Sequence, residues 1–368
     1  MSRAAELANL IGNINAGGGG VNRNVLVNGA TNVSQRSVSS TGLGASAGYF
    51  TADRWKFQVA NTAGRFTATQ DSSVPTGKGF ANSIKLACTT ADTSLANTEQ
   101  FIFQQKLEGQ NVQGFAKGTS NAKPFALSFY VKGNANATYV VALYDEDNGR
   151  YVGKTFSVTT DWTRVEITFP ADTTGALDDD NASSLELWIW LHCGPTYKGG
   201  TLPLTWASYS NANAAEGGDS FFDSTARTFF ITGVQLEVGQ NPTEFEHEPF
   251  DVTLKKCYRY FVAYGGEKNY ECIVQGGQAQ TSTRCWMLFR INQMRAVPTL
   301  SHANIQLDRP GIGGHDVTSY TLNSASSSQA IFSYADVSSG LNANESYCLI
   351  GNGASDSGRG YVRLSAEL

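Results

Sequence analysis

The sequence predicts an all-β protein: two antiparallel β-sandwich (jelly-roll-like) domains with a short N-terminal helix and a linking helix. Three observations predict it. Many short runs alternate apolar and polar residues with a period of two, as half-buried strands do. Turn clusters rich in Gly, Asn, Asp and Pro separate those runs, the pattern of sandwich and barrel chains. Only two stretches carry helical spacing. The composition agrees: 38 glycines, 41% apolar residues and only 16% charged residues, below the usual share of about 25%. At about 100–200 residues per domain, 368 residues make two or three domains.

The first helical stretch lies at the start. Ser2 can cap a helix whose apolar positions, Leu7, Leu10, Ile11 and Ile14, form one stripe. Gly12 interrupts it at a cost of about 1 kcal/mol. A helix this short is marginal alone in water, so the stripe needs a partner. That partner is the chain's own body, another protein or further copies of itself. Gly17 to Gly20 follow, a joint with almost no conformational preference. Residues 1–20 are therefore read as a helical segment and a glycine joint.

Residues 21–250 are read as the larger sandwich. Its strand-like runs are RWKFQV (54–59), RFTATQ (65–70), SIKLAC (83–88), FIFQQKL (101–107), FALSFYVKG (125–133), TYVVALYD (138–145), YVGKTFSV (151–158), TRVEITF (163–169), LELWIWL (185–191) and TFFITGVQLEVG (228–239). Leu254, Cys257, Tyr258 and Phe261 then fall at helical spacing, so a linking helix is expected over 251–262. Strand patterns resume in YECIVQGG (270–277), RCWMLFRINQ (284–293), SYTLNSA (319–325), QAIFSYADV (329–337), SYCLIGNG (346–353) and GYVRLSAEL (360–368). Residues 263–368 are expected to form a smaller β domain.

Charge and hydropathy exclude several classes. Net charge is −5 with a pI near 5.5. There is no basic stripe to displace counterions from phosphate, so nucleic acid is not an expected partner. No apolar run reaches the ~20 residues a bilayer span requires. The start MSRAAELANLIGNI has no signal-peptide core, so synthesis in a cytoplasm without export by that route is expected. Cys88, Cys193, Cys257, Cys272, Cys285 and Cys348 form no C-x-x-C pair, and the four histidines are scattered. The expectation is reduced, mostly buried thiols and no zinc site written in the spacing.

Nor is a catalytic set written there. The sequence lacks G-x-S-x-G, H-E-x-x-H and a phosphate loop, and no enzyme is expected. Glu186 and Asp161 could pair as glycosidase carboxylates do, but nothing in their spacing requires it. YDEDNGRY (144–151) superficially suggests a calcium loop through Asp145, Asp147 and Gly149; Asn148-Gly149 between strands reads better as a hairpin turn. Asp178-Asp179-Asp180 is a second acidic loop. No cofactor is expected, and structural calcium at these loops is the one metal option considered.

LELWIWLH is more informative. Leu185, Leu187, Ile189 and Leu191 fall on one face, the core side. Glu186, Trp188, Trp190 and His192 fall on the other, and Tyr130 on the polar side of FALSFYVK could join them. Flat aromatics beside hydrogen-bonding groups suit the apolar faces and hydroxyl rims of sugars, and they also anchor protein interfaces. Packing under a loop or against a neighbouring subunit is the third option.

The order of the motifs resembles a family. NVLVNGATNVSQR (24–36) is similar to the NLLINGAMQVWQRG opening of many phage tail-fibre and virion structural proteins, and YFTADRWKF (49–57) to their YTADRW segment. ALSFYVKGNANATYVVALYD (126–145), DTTGALDDDN (172–181) and GTLPLTWAS (200–208) have counterparts. FFITGVQLEVGQNPTEFEHEPFDVTLKKCYRYF (229–261) resembles the family's closing strand, F-E strap and L..C.RYY helix, and MRAVPTL (294–300) its MR..PT segment. MSRAAELANLI resembles the start of marine phage tail proteins.

The resemblance covers about residues 1–300. It implies a carbohydrate-binding-module-like β-sandwich in a virion appendage, usually a homotrimer, on the tail or capsid surface after assembly in the host cytoplasm. It implies no catalytic set, and Trp55 and Trp206 would pack. The Leu7, Leu10, Ile11 and Ile14 stripe would then be a virion anchor binding other virion proteins. The exposed modules would contact a host-surface glycan or protein, with the distal module setting specificity. A tail fibre is the leading expectation; a capsid decoration or head-fibre protein with a structural role is the alternative. A depolymerase tailspike is a third class, and its regular coils and acidic pair are absent from the pattern.

Overall fold

Strand formation follows the two-residue alternation closely. In Lys56–Ala60 and Arg65–Asp71, Phe57, Val59, Phe66 and Ala68 are buried while their neighbours are half-buried. The computed structural model describes residues 3–15, 22–311, 313–352 and 359–368, without the side chains at 9, 10 and 12–15. The expected joint at Gly17–Gly20 and the side chains of Leu10 and Ile14 therefore lie outside the described residues. Contacts divide the chain into two units, Met1–Thr253 with Leu368, and Leu254–Glu367.

The first unit opens with α1 (Arg3–Asn15), on which Leu7 and Ile11 are exposed. Its strands are β1 (Ser39–Leu43), β2 (Lys56–Ala60), β3 (Arg65–Asp71), β4 (Ser83–Thr90), β5 (Gln100–Glu108), β6 (Phe125–Gly133), β7 (Ala137–Asp145), β8 (Arg150–Val158), β9 (Thr163–Phe169), β10 (Ser183–Cys193), β11 (Ala207–Ser208) and β12 (Thr228–Val238). They form two six-stranded sheets in the orders β1-β3-β4-β12-β6-β9 and β11-β8-β7-β10-β5-β2. Every pairing is antiparallel.

The sheets pack face to face. Phe57 of the second sheet meets Phe66 of the first edge-on at 5.3 Å, and Phe156 meets Phe129 likewise at 5.1 Å. Leu185, Leu187, Ile189 and Leu191 enter this core, as their alternation predicts. Trp55 stacks on Phe103 at 4.7 Å, and Trp206 packs beside Phe125 at 5.5 Å. β12 is buried on both faces because a strap covers its outer side. In that strap Thr243 donates to Glu237, and Glu246 accepts from the backbone amides of Asn22, Arg23 and Asn24. Gly233 serves a bulge there at φ +64°; a Cβ would lie 2.5 Å from the Phe80 ring.

The division between the first unit and the second falls inside α2 (Phe250–Tyr258), where Asp251 sits in the first turn and Lys255 and Lys256 in the last, complementing the helix dipole. The helix was expected to reach residue 262. It stops earlier because Phe261 already pairs with Ser365 in a sheet. The strands are β13 (Phe261–Gly265), β14 (Cys272–Ala279), β15 (Arg284–Arg290), β16 (Thr299–Ala303), β17 (Ile305–Arg309), β18 (Gly313–Leu322), β19 (Ala330–Val337), β20 (Ser346–Gly351) and β21 (Tyr361–Ser365).

This unit corrects the expectation of a second sandwich. β13-β21-β16 form a three-stranded sheet, and β14-β15-β19-β18-β17-β20 close into a barrel. Alternation marks one buried face per strand and is silent on whether a facing sheet or closure covers it. Here closure does, and Met287, Leu307, Ala335, Tyr347 and Leu349 fill the axis. Gly277 makes room, since a Cβ there would come 2.8 Å from Cys285 Sγ. Cys88, Cys193, Cys257 and Cys285 are buried thiols; Cys272 is exposed and Cys348 half-buried. No described helix is long and apolar enough to cross a membrane.

Candidate ligand-binding face

The outer face of the second sheet carries the site. Register fixes its floor: Trp188 of β10 sits opposite Gln104 of β5, which sits opposite Lys56 of β2. The next row is Trp190, Ile102 and Gln58, and Glu186 stands opposite Lys106. Together with Gln100 and with Tyr209 from the segment after β11, these residues line a cleft of about 240 Å³. The stretch from Gln100 to Lys106 runs about 20 Å along β5 at the ~3.3 Å rise of a strand.

Trp188 is the organised element of this cleft. It is half-buried and stacks on Tyr144 at 4.6 Å with 25° between planes. Tyr209 and Trp190 meet it edge-on, each at 5.9 Å. Its Nε1 donates to Glu186 Oε2 at 2.6 Å, and Glu186 Oε1 lies 2.8 Å from Lys106 Nζ. Lys106 also reaches Glu146 at 3.2 Å. Burial pushes the Glu186 carboxyl above its ordinary value, against the pull of Lys106. Burial works against the Lys106 ammonium too, but Glu186 and Glu146 hold its pKa above the usual lysine value. The indole plane is thus fixed from below by rings and at its edge by a charged hydrogen bond.

The structure separates the residues that alternation had placed together. Trp188, Trp190 and Glu186 line the cleft, but Trp190 and Glu186 are only 2% and 3% exposed. The segment after β10 covers this part of the sheet: Tyr197 packs on Trp190 at 5.2 Å, and Ala214 and Ala215 join the same buried cluster. His192 is buried beyond the cleft, between Ser220 and Glu99. Tyr130 lies on β6 in the other sheet, buried against Phe80 at 5.4 Å. Two strands and a loop supply what sequence reasoning missed. Gln100, Ile102, Gln104 and Lys106 recur every second residue on β5, which the alternation could have shown. Their pairing with β2 and the arrival of Tyr209 had no local signal.

The acidic segments resolve differently. Asp145 does close a hairpin, with Asn148 N donating to its Oδ1 at 3.0 Å. Its other oxygen takes Lys117 Nζ at 2.5 Å. That ammonium also reaches Asp172 at 3.1 Å and the carbonyls of Thr174 and Gly175 at 2.9 and 2.8 Å, with the Trp206 ring 5.0 Å away. A lysine of the chain holds the position considered for calcium. Asp178, Asp179 and Asp180 form an exposed turn. Asp161 stays in the β8–β9 turn with Thr159 and Thr163, and no contact joins it to Glu186 among the described residues.

A second concavity of about 500 Å³ lies on the barrel exterior, along Gly276, Gln278, Trp286, Leu288 and Phe332. It is mostly apolar, and Leu288 is 70% exposed.

Fold and cleft define the class: a two-sheet antiparallel sandwich with an aromatic and amide-lined outer face, followed by a small barrel. No family model matches the chain, and no curated protein matches it. Among solved structures it is similar to the enzymatically active domain of bacteriophage CBA120 tailspike protein 4, at 14% identity and TM-score 0.32, over 59% of this chain and 21% of that one. It is also similar to the module TmCBM61 in complex with β-1,4-galactotriose, at 11% identity and TM-score 0.30, over 59% of this chain and 99% of that one. A family 11 carbohydrate-binding module from Clostridium thermocellum shares 13% identity at TM-score 0.27, over 56% of this chain and 99% of that one.

Proposed function

We propose that the protein is a virion structural protein, a phage tail fibre that attaches to its host by holding a surface glycan in the β2–β5–β10 cleft. The particle role rests on the ordered resemblance of residues 1–300 to that family. The ligand rests on one observation: Trp188, half-buried and locked in orientation, lines the cleft with the half-buried Gln58 and Gln100 and the buried Gln104. A sugar has apolar C–H faces and hydroxyl rims. A fixed indole takes the former, and amides, which both donate and accept, take the latter. The charged lining residues are Lys56, Lys106 and Glu186, and Lys106 is engaged by Glu186 and Glu146, so amides and rings make up the rest of the cleft. The work is binding without bond-breaking, repeated over the copies of a homotrimer for avidity. The α1 stripe, whose Leu7 and Ile11 are exposed, would hold the particle.

A glycan array with the full chain tests the ligand. Trp188→Ala should cost about 2 kcal/mol or more, some thirtyfold in affinity, with folding intact. Unchanged glycan signal in that variant would remove the cleft from the reading. Deleting residues 1–16 should leave folded protein that no longer joins virions; normal incorporation would place the anchor elsewhere. Labelling on intact particles should mark the tail, and signal on the head would make this a capsid decoration.

A further inference from the structure

Beyond the cleft, a buried group of ligating side chains is used by neither the fold's charge pairing nor the proposed binding. His192 sits near the end of β10, and Asp92 and Glu99 lie in the connection between β4 and β5. All three are at most 5% exposed. One ligating atom from each lies within 4.8 Å of the other two, and His192 Nε2 is 3.1 Å from Glu99 Oε2.

Two features set this group apart from a simple polar network. The first is charge. Elsewhere in the sandwich, Lys117 and Arg150 neutralise Asp145 and Asp172, Lys106 neutralises Glu186, and the single buried carboxylate of Glu237 is held by Gln235 and Thr243. Asp92 and Glu99 have no lysine or arginine at ion-pair distance among the described residues; Glu99 has only the imidazole. A divalent ion would supply the positive charge that no lysine or arginine brings to these two neighbouring carboxylates.

The second feature is the outer shell. Each ligand has its far side held. His192 Nδ1 is 2.8 Å from Ser220 Oγ. Glu99 Oε1 accepts from Ala96 N at 2.7 Å. Asp92 Oδ2 accepts from Thr62 Oγ1 and Ala63 N, both at 2.7 Å. These hydrogen bonds orient the remaining atoms inward, the arrangement that fixes ligands around a metal.

We propose that Asp92, Glu99 and His192 bind a structural zinc ion. One imidazole nitrogen and two carboxylate oxygens suit a borderline divalent ion, with water completing four-coordination. Bonds of about 2.0–2.2 Å require the three atoms to draw inward modestly. The ion would tie the β4–β5 connection to β10. Through Ser220, which also accepts from Phe222 N at 3.0 Å, it would secure the turn at 221–223. Spacing could not announce this site, because its ligands come from separate segments.

Zinc sulfate added to chelator-stripped full-length protein tests the proposal. Calorimetry should give one zinc per chain, with a raised melting temperature. With a carboxylate facing Nε2, the metal-free ring is expected to carry its proton there and donate to Glu99, with Nδ1 accepting from the Ser220 hydroxyl. Zinc on Nε2 moves the proton to Nδ1, which then donates to Ser220 Oγ. Nitrogen-15 spectra of His192 read that exchange, which a purely structural histidine would not undergo. Glu99→Gln should abolish binding, and Ser220→Ala should weaken it by about 10–100-fold. No uptake by the folded wild type, an unmoved His192 tautomer, or equal uptake by Ser220→Ala overturns the site. Should Glu99→Gln fail to fold, the wild-type spectra and Ser220→Ala decide alone.

Discussion

Two lysines in the sandwich, Lys117 and Lys106, have nearly the same partners and opposite surroundings. Each meets two carboxylates near a tryptophan: Asp145 and Asp172 with Trp206 for the first, Glu186 and Glu146 with Trp188 for the second. Lys117 is wholly enclosed, and two backbone carbonyls complete its shell. Lys106 keeps 16% of its side chain exposed and opens on the cleft. The difference teaches that the same set of charges serves two ends. Enclosed, it joins loops from both sheets. At the rim of a cleft, it aims an indole.

The closed cluster should show the largest effect. Lys117→Met removes the cation and leaves Asp145 and Asp172 in a dry site with Arg150 as the remaining partner. Breaking a buried pair on one side costs about 3–5 kcal/mol. Denaturant unfolding should register that loss, while glycan affinity per folded molecule stays level. A loss below about 1 kcal/mol would mean that water reaches Asp145 and that the two clusters are less different than their burial implies.

Lys106→Met sharpens the contrast from the other side. Stability should fall less, by about 1–3 kcal/mol, as for a lost hydrogen bond to a charged group. Glycan affinity should fall as well, by about tenfold, because Glu186 is freed and the Trp188 tether loosens. Calorimetry beside thermal unfolding separates the two. An affinity equal to the wild type would show that ring packing from Tyr144 and Tyr209 holds Trp188 without help.

The two clusters also differ in how far the sequence discloses them. Alternation placed Asp145 at a strand end and put Trp188 and Glu186 on one face of β10, and the core leucines of that strand followed. It also placed Trp190 on that face correctly, yet it could not show the cover, nor the bulge after Trp190 that sets His192 opposite Phe101 and against Phe222 of the core. The segment around Tyr197, Ala214 and Ala215 has no strand period and buries Trp190 from above. Tyr130 had the right chemistry on the wrong sheet, because period two names a face but not a sheet. The barrel was missed for the same reason: closure and sandwiching leave identical alternation. Lys117 gave no signal at all, since it lies in a turn between β5 and β6 and finds Asp145 and Asp172 only after folding.

The smallest expected effect is on pH dependence, where the two clusters should slope in opposite directions. For Asp172, burial alone would raise the carboxyl, but hydrogen bonds from Arg150 and Lys117 outweigh it and hold the folded pKa below the ordinary 3.8. Its contribution is therefore full above that value and is lost as pH falls through the lower, folded one. For Glu186, burial wins and the folded pKa lies above the ordinary 4.5. Its contribution is full below 4.5 and is lost as pH rises through the folded value, where ionisation of the buried group begins to cost stability. Paired unfolding profiles of the wild type, Asp172→Asn and Glu186→Gln read both slopes. The deficit of Asp172→Asn should shrink toward acid, and that of Glu186→Gln should shrink toward neutral pH. Parallel profiles would mean that Lys106 compensates Glu186 as fully as Lys117 and Arg150 compensate Asp172, and exposure would then not be what divides the two sites.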